Sequence, residues 1–266
     1  MATEALELAI PPLLRTRALG RTLAVHPVLG STNDEALRLA RGGAPHGTAL
    51  IAETQTAGRG RRGRSWSSPP GVNLYLSLVL RPKLPPQRAP ELVPTLAVAA
   101  AETLRDLGAD AGIKWPNDLE IGGRKVAGIL TELSATSAGI QFVVAGIGIN
   151  VNVGPEALPP EVRERATSLR IALGREVSRA ALAADLLARI EAWLDLHGAR
   201  GFEPVRERYR ALSVTLGRRV VLVEDDATVE GIAEDIDESG ALLLRRDDGV
   251  LEPARTGDVT SLRLAR

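Results

Sequence analysis

Positive charge is concentrated in one short segment, residues 58–66, whose sequence is GRGRRGRSW. Four of these nine residues are arginine and three are glycine, and no Asp or Glu occurs between Glu53 and Glu91. Guanidinium groups bind carboxylate and phosphate oxygens in pairs, and glycines let backbone N–H groups approach a ligand. The composition predicts a loop that clamps a small anion. A solvated surface loop and a nucleic-acid contact are the alternatives.

A second group of reactive side chains lies in residues 114–130, KWPNDLEIGGRKVAGIL. Lys125 follows Asp118 by seven residues, across the turn sequence IGGR. A β-hairpin at this turn would fold the lysine and the carboxylate toward each other. The alternative is a surface hairpin in which Asn117 and Asp118 only cap a turn.

Two further segments carry weaker signals. In residues 146–152, GIGINVN, period-two alternation places Gly146, Gly148 and Asn150 on one strand face. Bare glycines leave room for a group to lie against that face, and an asparagine amide could read a purine edge. A tightly packed core strand is the alternative. Residues 31–33, STN, could bind polar groups at a helix N-terminus or serve simply as cap residues.

The bulk composition excludes several classes of function. Lys plus Arg equals Asp plus Glu at 33 each, so no overall charge attracts nucleic acid or membrane. The chain has no cysteine and only three histidines, which excludes thiolate chemistry and argues against a protein-bound metal. The N-terminus lacks the features of a signal peptide, and no segment approaches the roughly 20 apolar residues of a membrane span. We therefore expect a soluble cytoplasmic protein.

The elements that position these residues follow from hydrophobic periodicity. Helices are predicted after residues 31–33, with a capping box formed by Thr32 and Glu35, within 90–108, and from an N-cap at Ser178. Strands are predicted in 47–54 and 72–80, followed by an antiparallel meander through 111–153. Five short strands follow residue 212. We predict an α+β domain over 1–212 and a small β-barrel domain over 213–266.

In their order and spacing, STN, ETQTAGRGRRGRSW, KWPNDL, GRKVAGIL and GIGINVN resemble the motifs of the biotin–protein ligases. The resemblance covers nearly the whole chain from about Val28. It implies a mixed, largely antiparallel sheet backed by helices, as in class II synthetases, with a C-terminal SH3-like barrel. It also implies two reactions: biotin and Mg·ATP give biotinyl-5′-AMP, and the biotinyl group then passes to a lysine of a biotin carboxyl carrier protein.

The resemblance also implies roles for individual residues of this chain. Biotin binding falls on Ser31, Thr32, Asn33, Gln55, Gly58, Arg59, Gly60, Arg61, Lys125 and Gly128. Nucleotide binding falls on Arg61, Arg64, Trp66, Asn117, Lys125 and Asn150, and catalysis on Arg59, Arg61, Lys125 and Asp118. No residue is assigned to a metal, so Mg²⁺ is expected to arrive with the phosphates.

Arg59, Arg61 and Lys125 would offset the repulsion between biotin's carboxylate and the triphosphate. Asp118 is the hypothetical group that orients the carrier's lysine or accepts its proton. The glycines of the loop suggest that it closes over a labile adenylate. Only about thirty residues precede Ser31, so no winged-helix DNA-binding domain and no operator binding are expected. The oligomer could be a monomer or a homodimer.

Three rival functions stay open at this level. A lipoate or octanoate ligase has a related architecture, although GRGRRGRSW and KWPND favour biotin. A nucleic-acid-binding protein could use the arginines, with salt-sensitive affinity. A non-catalytic biotin or nucleotide sensor would keep the pocket without the chemistry.

Overall fold

The computed structural model describes residues 5–137, 139–224 and 227–261. Its larger part is built on a seven-stranded sheet. The strands are β1 (Leu23–His26), β2 (Ala49–Ala52), β3 (Leu74–Leu80), β4 (Ala111–Lys114), β5 (Asp118–Ile121), β6 (Arg124–Thr136) and β7 (Gly139–Ile149). They lie in the order β1-β2-β3-β7-β6-β5-β4.

The sheet is mixed and largely antiparallel, as predicted. β1 and β2 run parallel, whereas each other neighbouring pair is antiparallel. β4 to β7 form the predicted meander, and the turn between β5 and β6 uses Gly122 and Gly123, both with positive φ. Two consecutive glycines suit a tight hairpin turn because both central residues need left-handed backbone. This turn brings the two strands that carry Asp118 and Lys125 side by side.

The two faces of the sheet are covered differently. The helices are α1 (Leu6–Ala9), α2 (Thr32–Arg41), α3 (Leu92–Asp106), α4 (Leu169–Leu173), α5 (Arg179–Arg200) and α6 (Glu203–Leu212). Alternate β3 residues, beginning with Leu74 and Leu76, enter the main core together with residues of α3 and α5. On the opposite face, Val79 and Val144 pack with Ala36 of α2 in a smaller cluster. The rest of this second face remains for a site.

The predicted capping box at Thr32 and Glu35 is wrong. The N-cap is Ser31, so Thr32 is already inside the helix, and no side chain caps it locally. The Thr32 N–H instead donates to the side-chain oxygen of Gln55 at 2.8 Å, and the carboxylate of Glu35 binds Arg38. A partner from a distant loop therefore replaces the local cap. By contrast, the predicted N-cap Ser178 is confirmed, since its hydroxyl accepts from the Ala181 N–H.

A second, five-stranded sheet follows α6. Its strands are β8 (Arg219–Glu224), β9 (Ala227–Ile236), β10 (Leu242–Arg245), β11 (Leu251–Ala254) and β12 (Asp258–Ser261), in the order β11-β10-β9-β8-β12. All of these pairs are antiparallel. The five predicted C-terminal strands are thus present in one sheet, and the α+β fold class is confirmed.

Polar contacts join the two sheets around Trp115. Its indole N–H donates to the Gly240 carbonyl at 3.2 Å, and its backbone N–H donates to the Thr215 hydroxyl at 3.0 Å. Arg210 of α6 adds a bidentate ion pair with Asp235 of β9, with both N···O distances 2.7 Å. None of the helices within the described ranges has the length and apolar character needed to cross a membrane.

Candidate active site

The floor of the candidate site is formed by three glycines on adjacent strands, Gly128 of β6 and Gly146 and Gly148 of β7, here called the glycine floor. A Cβ atom on Gly146 would lie 2.1 Å from the side-chain oxygen of Asn33. A Cβ atom on Gly148 would lie 2.6 Å from the ring of Trp66. The glycine face that the sequence predicts is therefore occupied by one side chain from α2 and one from the loop after β2.

The first turn of α2 is fixed on this floor by neutral hydrogen bonds. The Ser77 hydroxyl of β3 bridges the side-chain oxygens of Asn33, at 2.7 Å, and Thr32, at 2.8 Å. Gln55 accepts from the backbone and hydroxyl of Thr32, and its amide donates to Ser68 at 3.0 Å. All of these residues except Gln55 are buried. Residues 31–33 thus form a preorganised polar surface that is tied to β3 and to the loop.

Arg59 lies beside this surface, between two carboxylates. Its guanidinium is 2.6 Å from Glu132 of β6 and 2.7 Å from Asp34 of α2. The same Glu132 oxygen accepts from the Asn33 amide at 2.9 Å. Arg59 is therefore close to the predicted biotin residues, and acidic groups balance its charge.

Lys125 and Asp118 meet across the β5–β6 hairpin, as the sequence predicts. The Lys125 ammonium is 2.7 Å from a carboxylate oxygen of Asp118 and 5.3 Å from the centre of the Trp66 ring. Gly128 makes this approach possible, since a Cβ there would lie 3.2 Å from both the lysine chain and the indole. The Trp66 indole N–H is buried and has no hydrogen-bond partner within the described residues.

Arg61 reaches the same hairpin from the loop. Its guanidinium donates to the Asn117 side-chain oxygen at 2.9 Å, and the Asn117 amide donates to the Ile129 carbonyl at 2.7 Å. Burial lowers the pKa of Arg61, which the charges of Asp258 and Asp118 oppose. Because an arginine pKa starts so high, the group stays cationic. Arg61, Asn117 and Lys125 with its partner Asp118 are thus brought to one end of the site.

The loop between Gly58 and Trp66 folds back on itself as a small hairpin. The Gly60 N–H donates to the Arg64 carbonyl at 2.7 Å, and the Trp66 N–H donates to the Gly58 carbonyl at 2.9 Å. A side chain on Gly58 would clash, since its Cβ would lie 2.5 Å from the Trp66 carbonyl oxygen. Residues 58–66 are called the arginine loop below.

Two residues that the sequence assigns to the nucleotide have other partners in the structure. Arg64 binds Asp258 of the second sheet. Asn150 is buried, and its amide donates to the Thr167 carbonyl at 3.0 Å. To bind a nucleotide, Arg64 would have to exchange Asp258 for the new partner. Asn150 would have to use its side-chain oxygen, because its amide already donates to Thr167.

Sequence reasoning missed several residues that complete the site: Ser77, Ser68, Asp34, Glu132 and Asp258. A signal existed for two of them. Ser77 alternates with the leucines of β3, so it had to face the opposite side from the core. Glu132 follows Gly128 at an even spacing, which places it on the same strand face. Asp258 gave no such signal because its contact is long-range.

The fold and the site define a class of protein. Its members have a mixed sheet whose glycine floor, polar helix start and cationic loop suit an anionic ligand. The “Biotin/lipoate A/B protein ligase family” matches residues 25–150, and the “Biotin protein ligase C terminal domain” matches residues 215–260.

Relatives and solved structures narrow this class. The chain is 38% identical over 238 residues to the “Bifunctional ligase/repressor BirA” of Bacillus subtilis, covering 89% of this chain and 73% of that protein. It is 36% identical over 277 residues to the “Biotin--[acetyl-CoA-carboxylase] ligase” of Mycobacterium tuberculosis, covering 95% and 97%. The structure is similar to the biotin protein ligase of Aquifex aeolicus in complex with biotin and ATP, with a TM-score of 0.78, 29% identity, and 92% and 100% coverage. The chain belongs to the biotin protein ligase family.

Proposed function

We propose that the protein activates biotin with ATP as biotinyl-5′-AMP and transfers the biotinyl group to a lysine of a biotin carboxyl carrier protein. The observation that carries this proposal is the arrangement of Arg59, Arg61 and Lys125 around the glycine floor, beside the neutral polar surface of residues 31–33. The solved relative from Aquifex aeolicus holds biotin and ATP, which supports the same pair of substrates here.

The first half-reaction joins two anions. A carboxylate oxygen of biotin attacks the α-phosphorus of ATP, and the bond to the departing pyrophosphate breaks. The carboxylate is already ionised near neutral pH, so no general base is needed. Arg59, Arg61 and Lys125 would lower the repulsion where negative charge concentrates, while Asn33, Thr32 and Gln55 would hold the neutral end of biotin. Trp66 offers a ring beside Lys125 and a buried N–H that has no hydrogen-bond partner among the described residues.

Magnesium would enter as part of the Mg·ATP substrate. No group of three or more His, Cys, Asp or Glu side chains in the described ranges could form a metal cage. The carboxylate nearest to Lys125 is Asp118, and it is already ion-paired. This donor set suits an ion held mainly by phosphate oxygens, as is common for Mg²⁺.

The second half-reaction requires a neutral amine. The carrier's lysine nitrogen attacks the acyl carbon of biotinyl-5′-AMP, the bond to the phosphate oxygen breaks, AMP leaves, and the nitrogen loses its proton. We propose that Asp118 orients this amine or accepts its proton. The Lys125–Asp118 pair supports this role, because a phosphate that draws Lys125 away would leave the carboxylate free to act as acceptor.

Two features favour biotin over lipoate or octanoate. The relative from Mycobacterium tuberculosis is named as a biotin ligase, and the C-terminal sheet is matched to the biotin protein ligase C-terminal domain. We also propose a division into a catalytic domain over 1–212 and a second domain over 213–266, which the two matched ranges support. A cytoplasmic location stays a prediction.

The test of the proposed function is incorporation of labelled biotin into a carboxylase carrier domain, with ATP and Mg²⁺ supplied or withheld. We expect label on the carrier only when both are present. Labelled lipoate or octanoate, offered in parallel, should give none. Bound biotin without transfer to any carrier would point instead to a sensor.

Asp118→Asn tests the role proposed for that carboxylate in transfer. From preformed biotinyl-5′-AMP, we expect transfer to slow about 100-fold, the scale of lost acid–base assistance. Glu120→Gln is the matched control, because Glu120 lies two residues further along β5 and pairs with Lys114 instead. Unchanged transfer in Asp118→Asn would sink this role without touching the ligase assignment.

A further inference from the structure

We propose that Asp258 is a positioning residue: it latches the arginine loop to the C-terminal sheet and so sets how tightly the loop closes over the substrates. This inference rests on the proposed function and deepens it, because it assigns a task to the C-terminal sheet in the same site. Asp258 pairs with Arg64 of the loop, so its effect on the site would act through the loop.

Three contacts connect the arginine loop to neighbouring residues of the second sheet. Arg64 forms an ion pair with the carboxylate of Asp258. Arg61 donates to the carbonyl of Gly257, and Arg62 donates to the carbonyl of Val223, each at 3.4 Å. β8 and β12 are paired so that Val223 lies directly opposite Asp258. One strand pair therefore meets three arginines of the loop.

Arg61 connects the Arg64–Asp258 contact with the candidate site. The same guanidinium that touches Gly257 also donates to Asn117 at 2.9 Å, on the hairpin that carries Lys125. The negative charge of Asp258 opposes the effect of burial on the pKa of Arg61, so it favours the cationic form in this half-buried position. Loss of the Asp258 charge would weaken the hold on two arginines at once.

The loop can transmit this hold because it is an internally bonded unit. The Gly60 N–H donates to the Arg64 carbonyl, and Arg59 pairs with Ser65 as an isolated β-bridge. Arg62 has a left-handed backbone, with φ of 54°, which makes the reversal tight. Fixing Arg64 therefore fixes the backbone of Arg59, which is one of the residues assigned to biotin binding.

The solvent exposure of the Arg64–Asp258 ion pair limits how much this pair can change the closure of the loop. The Arg64 side chain is 66% exposed, and that of Asp258 is 32% exposed. Exposed ion pairs shift an equilibrium by about two- to fivefold, and salt screens them. Asp258 is therefore expected to tune closure rather than to decide whether the enzyme works.

The experiment compares Asp258→Asn with Asp247→Asn. Among the described residues, Asp247 pairs with Arg219 of the same sheet and not with the loop, so it controls for loss of a surface ion pair. The first readout needs no substrate: tryptic cleavage after Arg61 or Arg62 of the ligand-free protein. We expect cleavage to be about threefold faster in Asp258→Asn and unchanged in Asp247→Asn. Cleavage at the same rate in both variants would overturn the latch.

The second readout is kinetic. For Asp258→Asn, we expect KM for biotin and ATP to rise about threefold and kcat to stay within twofold, with the KM difference vanishing at high salt. The double variant Arg64→Asp/Asp258→Arg restores the pair with its charges reversed and should recover most of the protection from trypsin. A swap that does not recover this protection would reduce Asp258 to a structural residue.

The two proposals fail separately. If the unmodified protein transfers no biotin, the proposed function is lost, but the cleavage comparison still tests the latch. If biotin is transferred and both aspartate variants behave alike, the latch is lost and the function stands. A melting temperature measured for each variant identifies any that has simply lost its fold.

Discussion

The two regions that bound the candidate site are held by opposite kinds of interaction. The start of α2 rests on the glycine floor through short hydrogen bonds between buried neutral groups, with Ser77 at their centre. The arginine loop is held by charges on its surface, through Glu132 and Asp34 at one end and Asp258 at the other. Trp66 at the end of the loop also packs against the glycine floor, so the contrast lies in the polar contacts that hold the two regions.

This difference suits two different tasks. Buried neutral hydrogen bonds are costly to leave unmade, so the α2 surface keeps one geometry with or without a ligand. Exposed ion pairs are weak and exchange partners easily, so the loop can release a carboxylate of the protein when a carboxylate or phosphate of a substrate arrives. We propose that the rigid half selects the ligand and that the charged half closes on it.

The largest effect should come from filling the glycine floor. In Gly146→Ala, the new methyl group meets the Asn33 side chain, which Ser77 and Glu132 hold in place. Overpacking of this kind costs about 1–3 kcal/mol of the free energy of unfolding. We also expect biotin binding to fall by at least about 100-fold, since Asn33 must leave its position.

Calorimetry and a thermal melt check both parts of the Gly146→Ala prediction. Gly198→Ala is the matched control, because a Cβ at Gly198 meets nothing within 4 Å. Normal biotin affinity in Gly146→Ala would show that the floor is not rigid, which would remove the contrast between the two regions.

The second-largest effect should come from removing the charge of Lys125. Lys125→Met keeps the length of the side chain and removes its cation. We expect adenylate formation to fall by about 100-fold to 1,000-fold, as when a group that stabilises transition-state charge is removed. The melting temperature should stay within a few degrees, because the pair with Asp118 is partly exposed. Pyrophosphate release measures the rate.

Lys114→Met controls for the Lys125 result. Lys114 lies on β4, two strands away from β6, with similar exposure, but it pairs with Glu120. Full adenylate formation in Lys125→Met would mean that the arginines alone supply the charge.

The smallest of the three effects is expected for Glu132, which contacts both the start of α2 and the arginine loop. One oxygen of Glu132 accepts from Asn33 of the rigid half and from Arg59 of the loop. Glu132→Gln preserves the shape and removes the charge, so Arg59 should lose one of its two ion pairs and keep the one with Asp34, while Asn33 keeps an acceptor. We expect KM for biotin to change by less than about tenfold, with a stability loss of about 1 kcal/mol or less.

A full kinetic analysis of Glu132→Gln, with Glu164→Gln as a surface control, sharpens the contrast. A loss of biotin affinity as large as that of Gly146→Ala would place Glu132 in the rigid half instead of between the two.

Much of the site followed from local sequence signals. The hairpin that joins Asp118 and Lys125 was predictable because a Gly-Gly turn fixes the register of the strands around it. The bare face of β7 was predictable because side chains alternate along a strand. β1, α1 and α4, each of four or five residues, were not predicted.

The sequence by itself determined which residue types face one another along each strand, where the main turns lie, and that a cationic loop precedes a glycine-rich sheet. These are local properties, set by backbone preference and by a period of two or 3.6 residues. Only the tertiary structure decided that Gln55, and no local cap, satisfies the start of α2, and that the arginine loop rests on Asp258, 194 positions from Arg64 along the chain. Such partners depend on how distant elements pack, and no local pattern encodes that.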